Sequence, residues 1–449
     1  MKKIIDLNKY KKIHFIGING ISMSALAKYL AKKGKTVSGS DAEYMPQGTI
    51  LDENIKVYAG HQSVNVIGSD LVVYTSAIST DNPELMKAVK LGKKIISRSE
   101  LLGSVIKDFK NSVAISGSHG KTTTTAMLTN IFIAAKKSPT AFIGGEDKNL
   151  SNFCFGEGDT VICEACEYRK NFLDLSPTIS VVLNIDDDHL DSYGNMENMI
   201  SAFNEFISGT VCFINSDDTN CEKLFSKTAI TFGINRAATY IASALKKSED
   251  GYSFSVYKSG IYKTRINLKL KGKHNVYNAL AAFAVSDYFS IDTKIIKSAL
   301  ENFSSVKRRA EKIGEIKNIP VIADYAHHPK ELAASLSALS ETPEKTLVIF
   351  QPHTYSRTRI LMQDFIKVLN GDFKVIIYKT YAAREAFDEE GCAYNLYRKL
   401  KDKKGEGVFY AESPVNLEKS VLSNIKDCDV ILVLGAGDLY YVMKKLLGK

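Results

Sequence analysis

"ISGSHGKTTTTAML", residues 115–128, is the stretch from which the rest of the chain is read. A nucleotide phosphate loop has the form G-x-x-x-x-G-K-[ST]. Gly120, Lys121 and Thr122 fit its end, but Ile115 stands where the first glycine belongs and Gly117 comes two residues late. The neighbours favour a phosphate loop all the same. An apolar strand is expected at residues 112–115, and a helix after residue 120. Gly117 and Gly120 let backbone N–H groups come close to an anion, and the helix N-terminus adds its dipole. In this reading Ser118, His119 and Thr123 complete the cradle, Lys121 reaches the β- and γ-phosphates, and Thr122 offers a hydroxyl to Mg²⁺. The competing reading is a Gly-bounded turn with an ordinary capped helix. It does not account for a lysine at a helix start, where the dipole disfavours cations.

Outward from this loop, strands alternate with helical patterns over the whole chain, which predicts an α/β protein with parallel sheets. A length of 449 residues suggests about three domains. The rhythm divides at residues 1–107, 108–310 and 311–449. The first block begins with a strand at 13–16, a turn at 17–20, a helix from about 22 to 33 and a second strand at 36–38. In the second, residues 239–270 alternate apolar and polar and predict antiparallel hairpins, and 276–288 reads as an Ala-rich amphipathic helix. In the third, polar residues gather just after "IPVIAD", "TLVIF" and "DVILVLGAGD", where open parallel sheets bind ligands.

Composition excludes several classes. Hydrophobic residues make up 45% and charged residues 24%, ordinary for a globular protein. The net charge of +9 is spread out, with no block of five or six like charges that would mark a nucleic-acid tail. It suits small anionic substrates, and a solvated surface would explain it equally. The N-terminus is too poor in apolar residues for a signal peptide, and no apolar run reaches the ~18 residues of a membrane span. Seven scattered cysteines then read as reduced thiols, which makes a cytoplasmic location the expectation. One C-x-x-C, Cys163 to Cys166, is half a zinc site at most, and a metal role is not expected of it.

Further residues carry chemistry. Gly17, Gly20 and Ser22 form a turn with only one glycine of G-x-G-x-x-G in register. With Asp41 about twenty residues on, it reads as a nucleotide-type site or as a plain strand–helix connection. Glu164 ends one strand, and Asn184, Asp188 and His189 end another. Carboxylates there suit a Mg²⁺ that accompanies ATP, or are solvated loop charges. "DYAHHPKE" and "FQPHTYSRTR" bring Asp324, His327, Arg357 and Arg359 to strand ends. Arg357 could grip a carboxylate through two parallel hydrogen bonds, whereas Arg359 reads more as helix surface.

Together, "HFIGINGISMSALA", "VSGSD", Gly60-His61, "YTSAI" with "NPE", "SGSHGKTTTT", "EACEY", "NIDDDHLD", "KGKHNVYNALAA", "VKRRAE", "DYAHHPKE", "FQPHTYSRTR" and "GAGD" occur in an order that resembles the Mur ligases over nearly the whole length. The shortened phosphate loop is that family's own form. The resemblance implies a Rossmann-like N-terminal UDP-sugar domain, a P-loop-type central ATPase domain and a Rossmann-like C-terminal domain that meets the amino acid. It implies joining of L-alanine to the lactyl carboxylate of UDP-N-acetylmuramate, the first amino-acid addition to the peptidoglycan stem, with ATP going to ADP and phosphate and Mg²⁺ (or Mn²⁺) required. It places Lys121, Glu164, His189, His327 and Arg357 at the reaction and Thr122, Glu164 and His189 at the metal. Nucleotide falls to His274, Asn275, Asn278, Arg308, Arg309 and Asp324, and UDP-sugar to Gly17, Gly20, Ser22, Asp41, His61 and Ser76.

The sequence also departs from the family. Asn19 and Ser22 stand in a turn that is usually richer in glycine, and Thr354 where many relatives carry arginine. "MISAFNEFI" lacks the lysine that later-acting members carbamylate, so no carbamate is expected, and the diaminopimelate-selecting D-N-P-R pattern is absent.

Overall fold

A computed structural model describes residues 4–42, 54–187, 192–227, 229–248, 250–304, 306–340, 342–383 and 385–448. The chain folds as two compact units, Met1–Lys269 with His274–Ser304, and Leu270–Lys273 with Ser305–Lys449. The first unit holds two sheets and the second holds one.

The first sheet is all parallel, in the order β3-β2-β1-β4-β5, with β1 Lys12–Ile16, β2 Thr36–Asp41, β3 Lys56–Ala59, β4 Leu71–Tyr74 and β5 Lys94–Ser97. Around it lie α1 Ile21–Lys32, α2 Pro83–Lys90 and α3 Arg98–Ile106. Local chemistry sets the helix starts. Asn82 caps α2 and Pro83 opens it; Ser97 and Glu100 form a capping box on α3. β2 runs three residues past the expected end at 38, because it is paired on both sides, Ser40 to Ile16 and Asp41 to Ala59. Gly39 permits that packing, since a Cβ there would lie 2.5 Å from Ile18.

The second sheet has ten strands: β6 Asn111–Ser116, β7 Thr140–Asp147, β8 Ser151–Cys154, β9 Thr160–Glu164, β10 Ile179–Val182, β11 Val211–Asn215, β12 Ala229–Gly233, β13 Tyr240–Lys247, β14 Tyr252–Lys258 and β15 Ile261–Leu268. Their order is β15-β14-β13-β12-β11-β10-β6-β9-β7-β8. The β13–β14–β15 meander is antiparallel, as the alternation over residues 239–270 predicts. β6, which leads into the loop at residues 117–120, is central and buried on both faces, with Val113, Ala114 and Ile115 apolar in succession. The helices are α4 Lys121–Ala134, α5 Met196–Ile207, α6 His274–Tyr288 and α7 Thr293–Glu301. α6 starts two residues before its apolar pattern does, with His274 and Asn275 in the first turn.

The two sheets of this unit are tied together at α1. Tyr29 packs on Phe142 and Phe153 at ring-centroid distances of 5.6 and 6.4 Å. Beside them the buried Lys28 ammonium donates to Asn152 at 2.6 Å, and Asn152 donates back to the Ile21 carbonyl and to Ser24. A buried ammonium is tolerated because the asparagine satisfies it. Each buried aromatic ring contributes about 1.5–3 kcal/mol of transfer free energy.

The second unit has β16 Glu311–Ile316, β17 Ile319–Asp324, β18 Thr346–Phe350, β19 Lys374–Tyr378, β20 Val408–Ala411 and β21 Val430–Leu434 in the order β16-β17-β21-β18-β19-β20. All pairs are parallel except β16–β17. α8 Pro329–Leu339 and α9 Tyr355–Ile360 follow β17 and β18. Among the described residues no helix is long and apolar enough to cross a membrane.

Candidate active site

The Gly-bounded loop at residues 117–120 joins β6 to α4. Gly117 has φ 137° and Gly120 has φ 86°, a left-handed conformation that glycine adopts without strain. A Cβ on Gly120 would also stand 2.3 Å from Asn278 Oδ1, so glycine is required there twice over. The loop is held from the next strand by Asn184. Its side-chain oxygen accepts from His119 N at 2.8 Å, its amide donates to the His119 carbonyl at 3.0 Å, and its carbonyl accepts from Ser118 N at 3.1 Å. Ser118 Oγ accepts from Asp186 N at 2.8 Å. Thr122 and Thr123 lie buried in the first turn of α4.

Lys121 turns back over its own loop. Its ammonium donates to the Gly117 and Ser118 carbonyls and lies 3.0 Å from both oxygens of the buried Glu167 carboxylate. Burial works against the ammonium charge, but Glu167 outweighs it and holds the Lys121 pKa above its ordinary value. Glu164 ends β9 opposite Ile115, and its carboxylate accepts from Gly144 N at 2.5 Å. A Cβ on Gly144 would stand 2.5 Å from Glu164 Oε2, so the glycine keeps that space open. Ser22, Arg98, Gly144 and Glu164 line one narrow cleft between the first and second sheets. Thr122 and Glu164 are hard oxygen donors of the kind Mg²⁺ takes. Among the described residues no three His, Cys, Asp or Glu side chains converge as a metal cage. Asp188 and His189 lie outside the described residues.

At the start of α6, Asn278 donates to Asn275 Oδ1 at 3.1 Å, both buried, and His274 opens the helix. Tyr277 Oη donates to Asp217 at 2.8 Å, and Asp217 also gathers the backbone N–H groups of Ile234, Asn235 and Arg236.

The N-terminal residues meet at the carboxyl edge of the first sheet. Gly17 (φ 86°) begins a turn whose N–H groups at Gly17 and Ile18 donate to the Ser40 carbonyl at 2.8 and 3.1 Å. Gly20 caps α1, with Ser22 in its first turn. Asp41 folds back on the turn and accepts from Asn19 N at 3.0 Å. His61 follows β3, and the Ser76 carbonyl after β4 accepts from Arg169 at 3.4 Å.

In the second unit, Arg308 lies among the rings of Tyr325, Tyr440 and Tyr441 at 5.0–5.6 Å and donates to the Gly437 carbonyl, and Arg309 sits over Tyr325. Asp324 is structural in this state: it accepts from Ala310 N, Ala326 N and Ser335 Oγ at 2.8–3.0 Å. His327 Nδ1 lies 2.9 Å from the Tyr325 carbonyl, and its ring 5.6 Å from that of His353. Arg357 differs from Arg359 as the sequence suggests. Arg359 pairs with Asp388 on the surface at 2.8 Å, whereas Arg357 Nη1 is buried with no hydrogen-bond partner among the described residues. Burial, then the neighbouring His327, Arg357 and Arg308, push the His353 pKa down to about 3, so its imidazole is neutral at neutral pH. A buried guanidinium nitrogen without an acceptor keeps its donor capacity for an anion.

Three residues of consequence escaped the sequence reading: Glu167, Glu84 and His353. Each sits inside a quoted motif, "EACEY", "NPE" and "FQPH", but its role lies in a partner distant in sequence.

Residues 12–110 match the Mur ligase family, catalytic domain; residues 115–286 the Mur ligase middle domain; and residues 308–437 the Mur ligase, glutamate ligase domain. The chain is 40% identical to the UDP-N-acetylmuramate–L-alanine ligase of Caldanaerobacter subterraneus, over 99% of this chain and 98% of that one. It is also 40% identical to the enzyme of the same name from Caldicellulosiruptor saccharolyticus, over 98% of each. Among solved structures it resembles UDP-N-acetylmuramate-alanine ligase from Thermotoga maritima, with a TM-score of 0.82 and 32% identity over 97% of this chain and 98% of that one. A murein peptide ligase from Psychrobacter arcticus shares the fold, with a TM-score of 0.74 and 22% identity over 97% of this chain and 98% of that one.

Proposed function

The chain belongs to the Mur ligase family, and from that premise we propose that it joins L-alanine to the lactyl carboxylate of UDP-N-acetylmuramate, with ATP converted to ADP and phosphate. The observation that carries the nucleotide half is the loop at residues 117–122, whose lysine is presented beside a buried carboxylate. Full-length similarity to relatives bearing that name supports the substrates. In this reading residues 1–107 hold the UDP-sugar through Gly17, Gly20, Ser22, Asp41, His61 and Ser76. Residues 108–310 hold ATP through residues 117–123, His274, Asn275 and Asn278. Arg308, Arg309, Asp324, His327 and Arg357 are assigned to the nucleotide and the amino acid.

The chemistry follows from the substrates. A carboxylate is a poor acylating agent. Its oxygen attacks the γ-phosphorus, the bond to ADP breaks, and an acyl phosphate forms. The alanine amine then attacks the acyl carbon, the C–O bond to phosphate breaks, and the amine loses a proton. Catalysis of both steps is mainly positioning and charge stabilisation. Lys121 leaves Glu167 to meet the γ-phosphate. Thr122 and Glu164 would hold Mg²⁺ or Mn²⁺, which neutralises phosphate charge when bound. Phosphate release with UDP-N-acetylmuramate and single amino acids tests this reading. Release that needs a preformed tripeptide instead of L-alanine would overturn it.

Arg357 is the proposed anchor of the alanine carboxylate. Alanine offers only a methyl group besides its charged ends, so binding must come mostly from those ends. A charge-assisted hydrogen bond contributes roughly 1.5–3 kcal/mol. Arg357→Ala is therefore expected to raise KM for L-alanine about 10- to 100-fold, tenfold being ~1.4 kcal/mol, with much less change in KM for ATP. Arg357→Lys should recover only part, because a point charge lacks the planar fork. Steady-state kinetics varying alanine and ATP separately measure this, and an unchanged KM for alanine would move the anchor elsewhere.

A further inference from the structure

Beneath the ligand edge of the first sheet lies a carboxylate that the chemistry above does not use. Glu84, in the first turn of α2, is fully buried. Its Oε1 accepts from Asn65 Nδ2 at 2.6 Å and from Gln62 N at 3.3 Å. Its Oε2 accepts from Ser40 Oγ and lies 3.5 Å from both His14 Nε2 and His61 Nδ1. The other nitrogen of His14 meets Ser38 Oγ at 2.9 Å. Burial alone pushes the Glu84 carboxyl up. Donors from His14, Ser40 and Asn65 outweigh it and hold the group below the usual carboxylate range.

We propose that Glu84, acting through Ser40, is a positioning residue that sets the tautomer and aim of His61, so that His61 presents Nε2 to the nucleotide as a hydrogen-bond acceptor. An ionised carboxylate only accepts. Ser40 has one hydroxyl proton and gives it to Glu84. The 2.9 Å contact between Ser40 Oγ and His61 Nδ1 is then donated by the ring. In the neutral imidazole this leaves Nε2 unprotonated. Its complement is a neutral donor, an N–H of the base or a ribose hydroxyl, and not a phosphate oxygen, which only accepts. Ser40 serves both halves of the site, because its carbonyl also anchors the turn at Gly17 and Ile18. One buried carboxylate thus fixes the histidine and braces the strand that carries the turn. The sequence separation is 44 residues from Ser40 to Glu84 and 21 from Ser40 to His61.

The ligand rests on the proposed UDP-sugar site, and UDP binding to the wild-type chain, followed by calorimetry at pH 8, tests that site on its own. The relay is tested in Glu84→Gln, nearly the same shape, and in Ser40→Ala, which cuts the relay by removing the hydroxyl between Glu84 and His61 while leaving the Glu84 carboxylate in place. In wild type, ¹⁵N-detected ring spectra should show His61 as a single tautomer protonated at Nδ1. Both variants should show mixed tautomers and bind UDP about tenfold more weakly, with ATP affinity unchanged. ATP affinity serves as the control for folding. If wild type binds UDP while both variants keep its affinity and its His61 spectrum, the relay is wrong. Proton uptake on UDP binding, read from buffer-dependent heats, would make His61 a charged donor to phosphate and overturn the acceptor role.

Discussion

Lys121→Ala is expected to lower turnover by on the order of 10³-fold or more while UDP binding stays near wild type. In the proposed reading the lysine meets the γ-phosphate, and phosphoryl transfer is slowed when that charge is not neutralised. UDP binding is spared because its proposed residues lie on the first sheet. The same substitution has a second effect. Glu167 is 1% exposed and has its ion pair with Lys121. Removing the lysine leaves a buried carboxylate short of its cation, which costs roughly 1–3 kcal/mol or more. The variant should therefore melt lower than wild type. Adding Glu167→Gln to Lys121→Ala should restore much of the Tm and none of the turnover. Phosphate release and thermal unfolding of the single and double variants separate these effects. Near-normal turnover in Lys121→Ala would remove residues 117–122 from ATP chemistry.

Glu164→Ala should cut kcat by roughly 10²–10³-fold and shift the Mg²⁺ titration to higher concentration. Glu164 is also hydrogen-bonded by Gly144 N, so alanine removes a structural contact along with a charge. Glu164→Gln resolves the two. Its amide oxygen can still accept from Gly144, but it carries no charge for a hard cation. If the carboxylate is a metal ligand, Gln behaves like Ala in the Mg²⁺ titration and like wild type in thermal unfolding. A Gln variant with the wild-type Mg²⁺ dependence would take Glu164 out of the metal shell.

The two carboxylates of "EACEY" illustrate how far sequence reading reaches. Glu164 is legible because it ends an apolar strand, a position that puts side chains at the ligand edge of a parallel sheet. Glu167 lies three residues on, past the strand end, where no periodicity applies. Its importance comes from Lys121, 46 residues earlier, brought alongside because β9 pairs with β6. Asp324 also stands at a strand end, and the sequence does not show that it accepts from Ala310 N, Ala326 N and Ser335 Oγ. Arg357 and Arg359 are two residues apart and alike in charge. Arg359 is exposed and paired with Asp388, whereas Arg357 is half-buried, a difference set by what packs around α9 and not by the local sequence.

What the sequence determined by itself is the α/β rhythm, the antiparallel meander at residues 239–270 and the Gly-bounded strand–loop–helix connection at residues 111–134. Each of these is written in contiguous residues: strand period, turn glycines, helix start. The tertiary structure alone decided that Asn184 clamps the loop, that Glu167 holds Lys121, that Asn278 crowds Gly120 and that Glu84 reaches His61 through Ser40. Those contacts join segments 21 or more residues apart, and crossover connections bring distant segments into register only once the strand order is set. A buried polar group must find its partner wherever the packed sheet puts one, and no local pattern encodes that place.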